Sequence, residues 1–391
     1  MMKENGMTKR FAWVAVAVAF SGCVTCGPGT DGATKKEDPV KVGVYVGAGA
    51  QSNGVCYWQM LTTLSPDIQA TFLDENTIAA GGLEGLDAVV MPGGDSYLEF
   101  KTLKSTGSDE KIKAFVRAGG GYVGTCAGNC MVLNGANRLC ISPYVYKKNS
   151  RGHGTALLAM KFNARAKEMC GIDAKTRHVR YSGGPVMEEG APVEGASFET
   201  IATYNCDLVC NYGTNTVASM KGAPAAICGT YGKGRVFAIA THPEYRADTL
   251  DILEGAFRFV SGRKRVRFVR PHRNPGDLCV AVYAPGTMGV EDARMIAELV
   301  STPGLDVSFV NQAEEIGVGD LDHADVLVLP GGREKLYKKK FNGETAAFME
   351  RFAARGGKVF AVGTGAKHAP KGSVVCDSRT ELVERIKGER R

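Results

Sequence analysis

Two stretches of the chain share one pattern of apolar and polar positions. The first opens on the apolar run Val44-Tyr45-Val46 and Gly47, the second on Val282-Tyr283-Ala284 and Pro285. Further on come Ala88-Val89-Val90-Met91-Pro92-Gly93-Gly94 and Val326-Leu327-Val328-Leu329-Pro330-Gly331-Gly332, at the same offset of 238 residues. A charged helical segment follows in both. Phe115 to Gly120 (FVRAGG) then answers to Phe352 to Gly357 (FAARGG) at an offset of 237, one residue having been lost. Each stretch closes on an apolar run entering a glycine-rich turn, Tyr122-Val123-Gly124-Thr125-Cys126 and Val359-Phe360-Ala361-Val362-Gly363.

Continuous apolar runs of four to six residues are what parallel strands look like when helices cover both faces of their sheet. Alternation of such runs with helical segments predicts parallel βαβ units. The fold class expected is therefore α/β, with two parallel-sheet domains in tandem, the second shorter and degenerate. The first domain spans 41–262 and the second 277–391. Between them, 263–276 is a basic linker or edge strand, in which Arg265 and Arg267 alternate with Val266 and Phe268.

The N-terminus carries a different pattern. Lys9 and Arg10 precede a short apolar run, Phe11 to Phe20, which ends at Ser21-Gly22-Cys23. That run is half of the roughly 20 residues a membrane-spanning helix needs, and it fits the core of a signal peptide. Small residues before Cys23 resemble a bacterial lipobox. The expectation is a signal peptide over 1–22, lipidation at Cys23, and a flexible tether over 23–40. The protein would then be exported and held by its lipid on the periplasmic or outer-membrane side of a bacterial envelope. Twelve cysteines in an oxidising compartment make disulfides conceivable. Cys206 with Cys210 and Cys170 with Cys228 are the pairs considered. No cysteine or histidine cluster has zinc-site spacing, so no metal is expected. The net charge of +7 is modest for 391 residues and by itself argues neither for nor against nucleic acid; no nucleic-acid partner is expected.

Chemistry concentrates at strand ends. Cys126 stands in Gly124-Thr125-Cys126-Ala127-Gly128, between an apolar strand and a helix. A helix N-terminus favours thiolate, and its free backbone N–H groups can hold an oxyanion. His242, in Thr241-His242-Pro243-Glu244, follows a strand predicted to end at the same sheet edge. Glu244 would orient its imidazole. Gly93, Gly94 and Asp95, after the Pro92 turn, would line the oxyanion loop with Ala127. Cys130, one helical turn after Cys126, reads as packing. His178 reads as a solvated strand residue and His153 as a loop residue.

These motifs resemble the class I glutamine amidotransferase-like superfamily. Gly124 to Gly128 is similar to its Gly-x-Cys-x-Gly nucleophile motif, and His242 to Glu244 to its His-Pro-Glu. Within it, the chain is most similar to the biotin–protein ligase N-terminal domain family. That likeness rests on Met91 to Asp95, Ala118 to Gly128, Arg180 to Pro185 (RYSGGP) and Gly232 to Val236 (GKGRV). It covers about 41–262. It implies flavodoxin-like sheets, catalytic Cys126, His242 and Glu244, and a substrate pocket that includes Tyr181. Ala127 departs from the bulky apolar residue many glutaminases carry there. The sequence has no Walker-type ATP loop, so biotin ligation is not expected and no cofactor is implied. The second copy has Gly363 where the first has Cys126 and no His-Pro-Glu after it. The function expected is hydrolysis of an amide or related acyl bond of a small molecule or envelope component. The alternative is a non-catalytic envelope binding or scaffold protein.

Overall fold

The computed structural model describes residues 38–390, apart from 51, 148–153, 212–214, 264, 271–273, 285–287, 311–320, 322, 333, 335–336 and 338–342. The expected signal peptide, Cys23, most of the expected tether and His153 lie outside those residues.

The first copy begins with β1 (Val40–Tyr45), α1 (Ser52–Leu64), β2 (Ile68–Leu73), α2 (Glu75–Ala79), β3 (Ala88–Met91), α3 (Ser96–Thr106), α4 (Ser108–Ala118), β4 (Gly121–Thr125) and α5 (Ala127–Val132). Then come β5 (Tyr144–Tyr146), β6 (Thr155–Phe162), α6 (Ala164–Cys170), β7 (Thr176–Ser182), β8 (Met187–Glu189) and β9 (Ala196–Tyr204). It continues with β10 (Leu208–Asn211), β11 (Asn215–Ala218), β12 (Pro224–Tyr231), β13 (Gly234–Ile239) and α7 (Leu250–Ser261). Nine of these strands form one sheet in the order β2-β1-β3-β4-β13-β12-β9-β6-β7. The first five are mutually parallel. The last four continue the sheet antiparallel.

The second copy contains β14 (Leu278–Tyr283), α8 (Val290–Ser301), β15 (Leu305–Val310), β16 (Val326–Leu329), the helix Gly343–Ala354, β17 (Lys358–Val362), β18 (Val374–Cys376) and the helix Arg379–Gly388. Its sheet is parallel throughout, in the order β15-β14-β16-β17-β18. Both parallel cores therefore have the doubly wound order 2-1-3-4-5. Their registers match as well. Val42 faces Ala88 in the first and Val280 faces Val326 in the second, each partner displaced by 238 residues. Ala88 faces Gly121 and Val326 faces Lys358, with the lost residue falling between the two strands.

The apolar runs explain the layering. Ala88–Met91 and Val326–Leu329 are buried at every position, because helices cover both faces of each sheet. Helix α1 serves both copies. Val55, Trp58 and Leu61 pack into the first core. Cys56 and Met60 pack into the second, among Val282, Met295, Leu299 and Phe309. Burial of apolar side chains at about 25 cal/mol per Å² on two faces of one helix ties the copies together.

The linker is a strap rather than an edge strand. Among its described residues, 265–270 join no sheet. The alternation is nevertheless real: Val266 and Phe268 are buried on the first core, with Phe268 against Trp58 and Phe257. Arg267 pairs with Asp67, 3.1 Å away. Cys170, Cys206 and Cys228 are free thiols. Cys228 is spent on packing, its sulfur 3.5 Å from that of Met169. The Cys210 side chain lies outside the described residues. No described helix is long and apolar enough to cross a membrane.

Candidate functional site

Strand β4 delivers Cys126 to the carboxyl edge of the sheet and α5 begins at the next residue. The turn between them is tight. Cys126 adopts φ 51° and ψ −103°, a conformation a residue with a side chain rarely holds. Its N–H is tied to Ile239 O at 2.9 Å, which locks β4 to β13 at the turn. Gly128 has no room for a side chain, since a Cβ there would lie 1.9 Å from Met91 O. Its N–H donates to Pro92 O at 3.1 Å, so α5 and the Pro92 turn touch directly.

Strand β13 runs parallel to β4, with Ile239 opposite Thr125, and so places His242 beside Cys126. The backbone N–H of His242 donates to Arg180 O at 2.7 Å, fastening the turn to β7. Imidazole Nδ1 lies 2.8 Å from Glu244 Oε1, and Cys126 is within hydrogen-bonding reach of the same ring. With Nδ1 committed to Glu244, Nε2 is the ring nitrogen left to serve the thiol. Glu244 is fully buried, and its Oε1 also accepts from Thr125 Oγ1 at 3.4 Å. Thr125 in turn accepts from Trp58 Nε1 at 3.2 Å. Burial pulls the His242 pKa down, but Cys126 and Glu244 outweigh it, and the imidazole is pushed up to about 10. The ring is therefore held as imidazolium at neutral pH, against its own burial.

Gly93 sits in the crevice between the two groups. A Cβ at this position would lie 2.4 Å from His242 Cε1 and 3.2 Å from Cys126 Cβ. Among the described residues, neither the Gly94 nor the Ala127 N–H has a partner. Both are free to receive an oxyanion.

A polar cavity of about 730 Å³ opens over Cys126. Gly94, Asp95 and Ala127 line it, as the sequence suggests, though Asp95 Oδ1 is occupied in capping α3 through the N–H groups of Tyr97 and Leu98. Tyr181 does not line it. Its ring is fully buried against Tyr204 and its hydroxyl donates to Gly184 O at 2.8 Å. The strand pattern explains the misplacement: on β7, Val179 and Tyr181 point inward together. The neighbouring Ser182 is what reaches the site, with its carbonyl 3.7 Å from Cys126 Sγ.

Sequence reasoning missed Tyr97, Arg138 and Tyr146 in the cavity wall. None belongs to a motif, and the segment that carries Arg138 has no periodicity to read. Cys130 lines the cavity too and accepts from Tyr146 OH at 2.6 Å. Burial, and then the proximity of Cys126, pushes its thiol up to about 12, which leaves it neutral. His178 is exposed on β7. No cluster able to hold a metal occurs among the described residues.

The matching place in the second copy is filled differently. Gly363 takes the position of Cys126 and keeps its left-handed turn, with φ 57°. Cys376 faces Val362 as Ile239 faces Thr125, so Arg379 is the counterpart of His242. The guanidinium of Arg379 is bonded to Asp292 at 2.6 Å, and Asp292 stands where the first copy has Gly54. In the first copy, a Cβ on Gly54 would meet Glu244 Oε1 at 3.1 Å. An arginine–aspartate ion pair thus occupies the volume of the histidine–glutamate pair.

Residues 40–132 match the protein family described as "Biotin-protein ligase, N terminal". Over 45 residues the chain is 49% identical to "Pyridoxal 5'-phosphate synthase subunit PdxT" of Bifidobacterium longum (strain NCC 2705), a match covering 12% of this chain and 24% of that protein. Among solved structures, one described as a crystal structure of glutamine amidotransferase aligns at 19% identity and TM-score 0.39, over 57% of this chain and 99% of that one. A putative ThuA-like protein from Bacteroides uniformis ATCC 8492 aligns at 13% identity and TM-score 0.42, over 58% and 94%.

Proposed function

Residues 40–132 are a glutamine amidotransferase-like region of the biotin-protein ligase N-terminal type, and on that premise we propose that the first copy hydrolyses an amide or related acyl bond through Cys126. The observation that carries this reading is the 2.8 Å contact of His242 Nδ1 with Glu244 Oε1, made by a ring that also reaches Cys126.

Cys126 Sγ attacks the carbonyl carbon as thiolate, and the carbonyl electron pair moves onto oxygen. The Ala127 and Gly94 N–H groups receive that oxyanion. Collapse re-forms the carbonyl and breaks the bond to the leaving amine, which takes the proton from imidazolium Nε2. A thioester remains. Water then adds with His242 as base, and the second collapse releases the acid and returns the thiolate. Glu244 fixes the ring without itself taking the proton.

The location belongs to the same proposal. Cys23 is lipidated, and the enzyme acts on a small molecule or envelope amide outside the cytoplasm, tethered to the membrane. The alternative retains the fold as an envelope binding or scaffold protein, with an inert thiol. Exposure to p-nitrophenyl acetate, followed by peptide mass analysis, separates the two. The hydrolase reading expects a burst of nitrophenolate with the acetyl group on Cys126, absent in Cys126→Ala. An unmodified Cys126 with acetyl groups only on surface lysines would support the binding protein. Mass analysis of membrane-extracted protein should find acyl chains on Cys23; a free N-terminus elsewhere would remove the anchor.

A further inference from the structure

We infer that the second copy and the linker hold the His242–Glu244 turn in its working position, with Phe309 and Arg270 as positioning residues. This rests on the reading of Cys126 and His242 as the reactive pair. The turn Pro243–Tyr245 is a short 3₁₀ segment with little hydrogen bonding of its own. It is gripped from outside instead. Arg270, from the linker, donates to Glu244 O at 2.6 Å. The same guanidinium lies over the Tyr57 ring, 5.1 Å from its centroid. Tyr57 packs at 4.8 Å on Tyr245, whose ring meets His242 edge-on at 5.4 Å. Tyr57 is also met edge-on at 5.5 Å by Phe309, from β15 of the second copy. A continuous chain of ring contacts therefore runs Phe309–Tyr57–Tyr245–His242, and the linker arginine lies over Tyr57.

This gives the degenerate copy a task that needs no nucleophile. Aromatic contacts of this kind fix orientation as well as burying area, and a cation over a ring adds to them. Catalytic geometry is sensitive to such support, since a misplacement of about 1 Å can cost up to ~10²-fold in rate. The charged and titratable groups around the ring are Cys126 and Glu244 in contact with it. Arg180 stacks on Tyr245. Arg270 grips the turn, and Arg246 pairs with Asp248 just beyond it.

The test uses the full-length protein. The rate at which iodoacetamide alkylates Cys126 is measured against pH by peptide mass analysis, in the wild type, Arg270→Met, Arg270→Lys, Phe309→Ala and Phe309→Tyr. Arg270→Met and Phe309→Ala should each slow neutral-pH labelling by about ten-fold and move the profile toward higher pH. Arg270→Lys and Phe309→Tyr should restore most of the rate. Phe352→Ala, which removes a buried ring from the far core of the second copy, is the control for general loosening and should leave the profile in place. A profile unmoved in Arg270→Met and Phe309→Ala would overturn the inference. So would one shifted equally by Phe352→Ala. The low-field imidazole N–H resonance of His242 reads the same geometry without any chemistry at sulfur. If Cys126 proves inert in the wild type, the hydrolase reading fails. The positioning inference then stands or falls on whether that resonance is lost in Arg270→Met and Phe309→Ala.

Discussion

The two copies share one backbone and differ in what fills the same crevice. In both, a parallel strand ends in a left-handed turn, Cys126 at φ 51° and Gly363 at φ 57°. In both, the following helix is pressed so close to the neighbouring Pro-Gly-Gly turn that a glycine is required, Gly128 against Met91 O and Gly365 against Leu329 O. The first copy places sulfur, imidazole and a buried carboxylate there, and opens a cavity over them. The second places no nucleophile and closes the charge account with Arg379 and Asp292. A backbone turn that strains a cysteine is thus preserved where no side chain needs it. The turn is a property of the fold, and the chemistry is a choice of three side chains laid upon it.

The glycines at the matching positions 93 and 331 separate the two crevices. Gly93→Ala drives a methyl group into His242 Cε1, part of a buried ring that cannot retreat. Alkylation of Cys126 by iodoacetamide should fall by up to about 10²-fold. Gly331→Ala at the matching place meets Arg379 Nη2 at 2.7 Å and both carboxylate oxygens of Asp292 at 2.9 Å, so it disturbs the ion pair of the second copy and not the site of the first. It should leave Cys126 labelling within about two-fold of wild type. Equal effects from the two would mean that the first crevice is not a working site.

The ion pair of the second copy is next in size. Asp292 is almost fully buried, although the N–H groups of Gly289 and Gly331 also serve it. Arg379→Met would leave that carboxylate without its cation. Chemical denaturation should show a loss of about 2 kcal/mol, below the figure for a fully buried pair because Arg379 is partly solvated. Arg379→Met with Asp292→Asn should recover part of it. A single variant as stable as wild type would show the pair to be incidental.

A third contrast is the position of Glu99. It is fully buried beside the site, with both carboxyl oxygens unpartnered among the described residues. The second copy has Tyr337 there, whose hydroxyl donates to Pro330 O. Burial, then Cys126 and Asp95, hold the Glu99 carboxyl well above the usual carboxylate range. The folded state keeps this proton and the unfolded chain loses it near pH ~4.3. Stability should therefore fall as pH rises above that value, by up to about 1.4 kcal/mol per unit from this one group. His242 acts in the same direction over a higher window. Its imidazolium stabilises fully below about 6.5, and that contribution disappears as pH rises through about 10. Denaturation across pH should find the lower slope removed by Glu99→Gln and the upper one by His242→Gln. Slopes unchanged in both variants would contradict these assignments.

Much of this architecture was legible in the chain because parallel strands buried on two faces leave continuous apolar runs. Ala88–Met91 and Val326–Leu329 are apolar at every position, and their registers agree to the residue. The meeting of Cys126 and His242 was also legible, since both end strands of one parallel set. Tyr181, placed in the pocket by the family resemblance, is instead turned into the core with Val179 by the alternation of β7, and the carbonyl of Ser182 is what reaches the site. Arg138 and Tyr146 belong to no repeat, and only the folding of the excursion after α5 brings them to the cavity. The Arg379–Asp292 pair was invisible for a different reason. Its members lie 87 residues apart and no motif links them. Only the pairing of β18 with β17 places Arg379 in the crevice.

Activation of Cys126 by His242 is legible in the reactivity of the thiol itself. The wild type and His242→Gln are treated with iodoacetamide at neutral pH, and every cysteine is followed by peptide mass analysis. Cys126 should be alkylated ahead of the more exposed Cys140, and His242→Gln should slow Cys126 by about ten-fold or more while leaving Cys140 unchanged. Labelling of Cys126 no faster than that of Cys140, or indifferent to the loss of His242, would contradict the account.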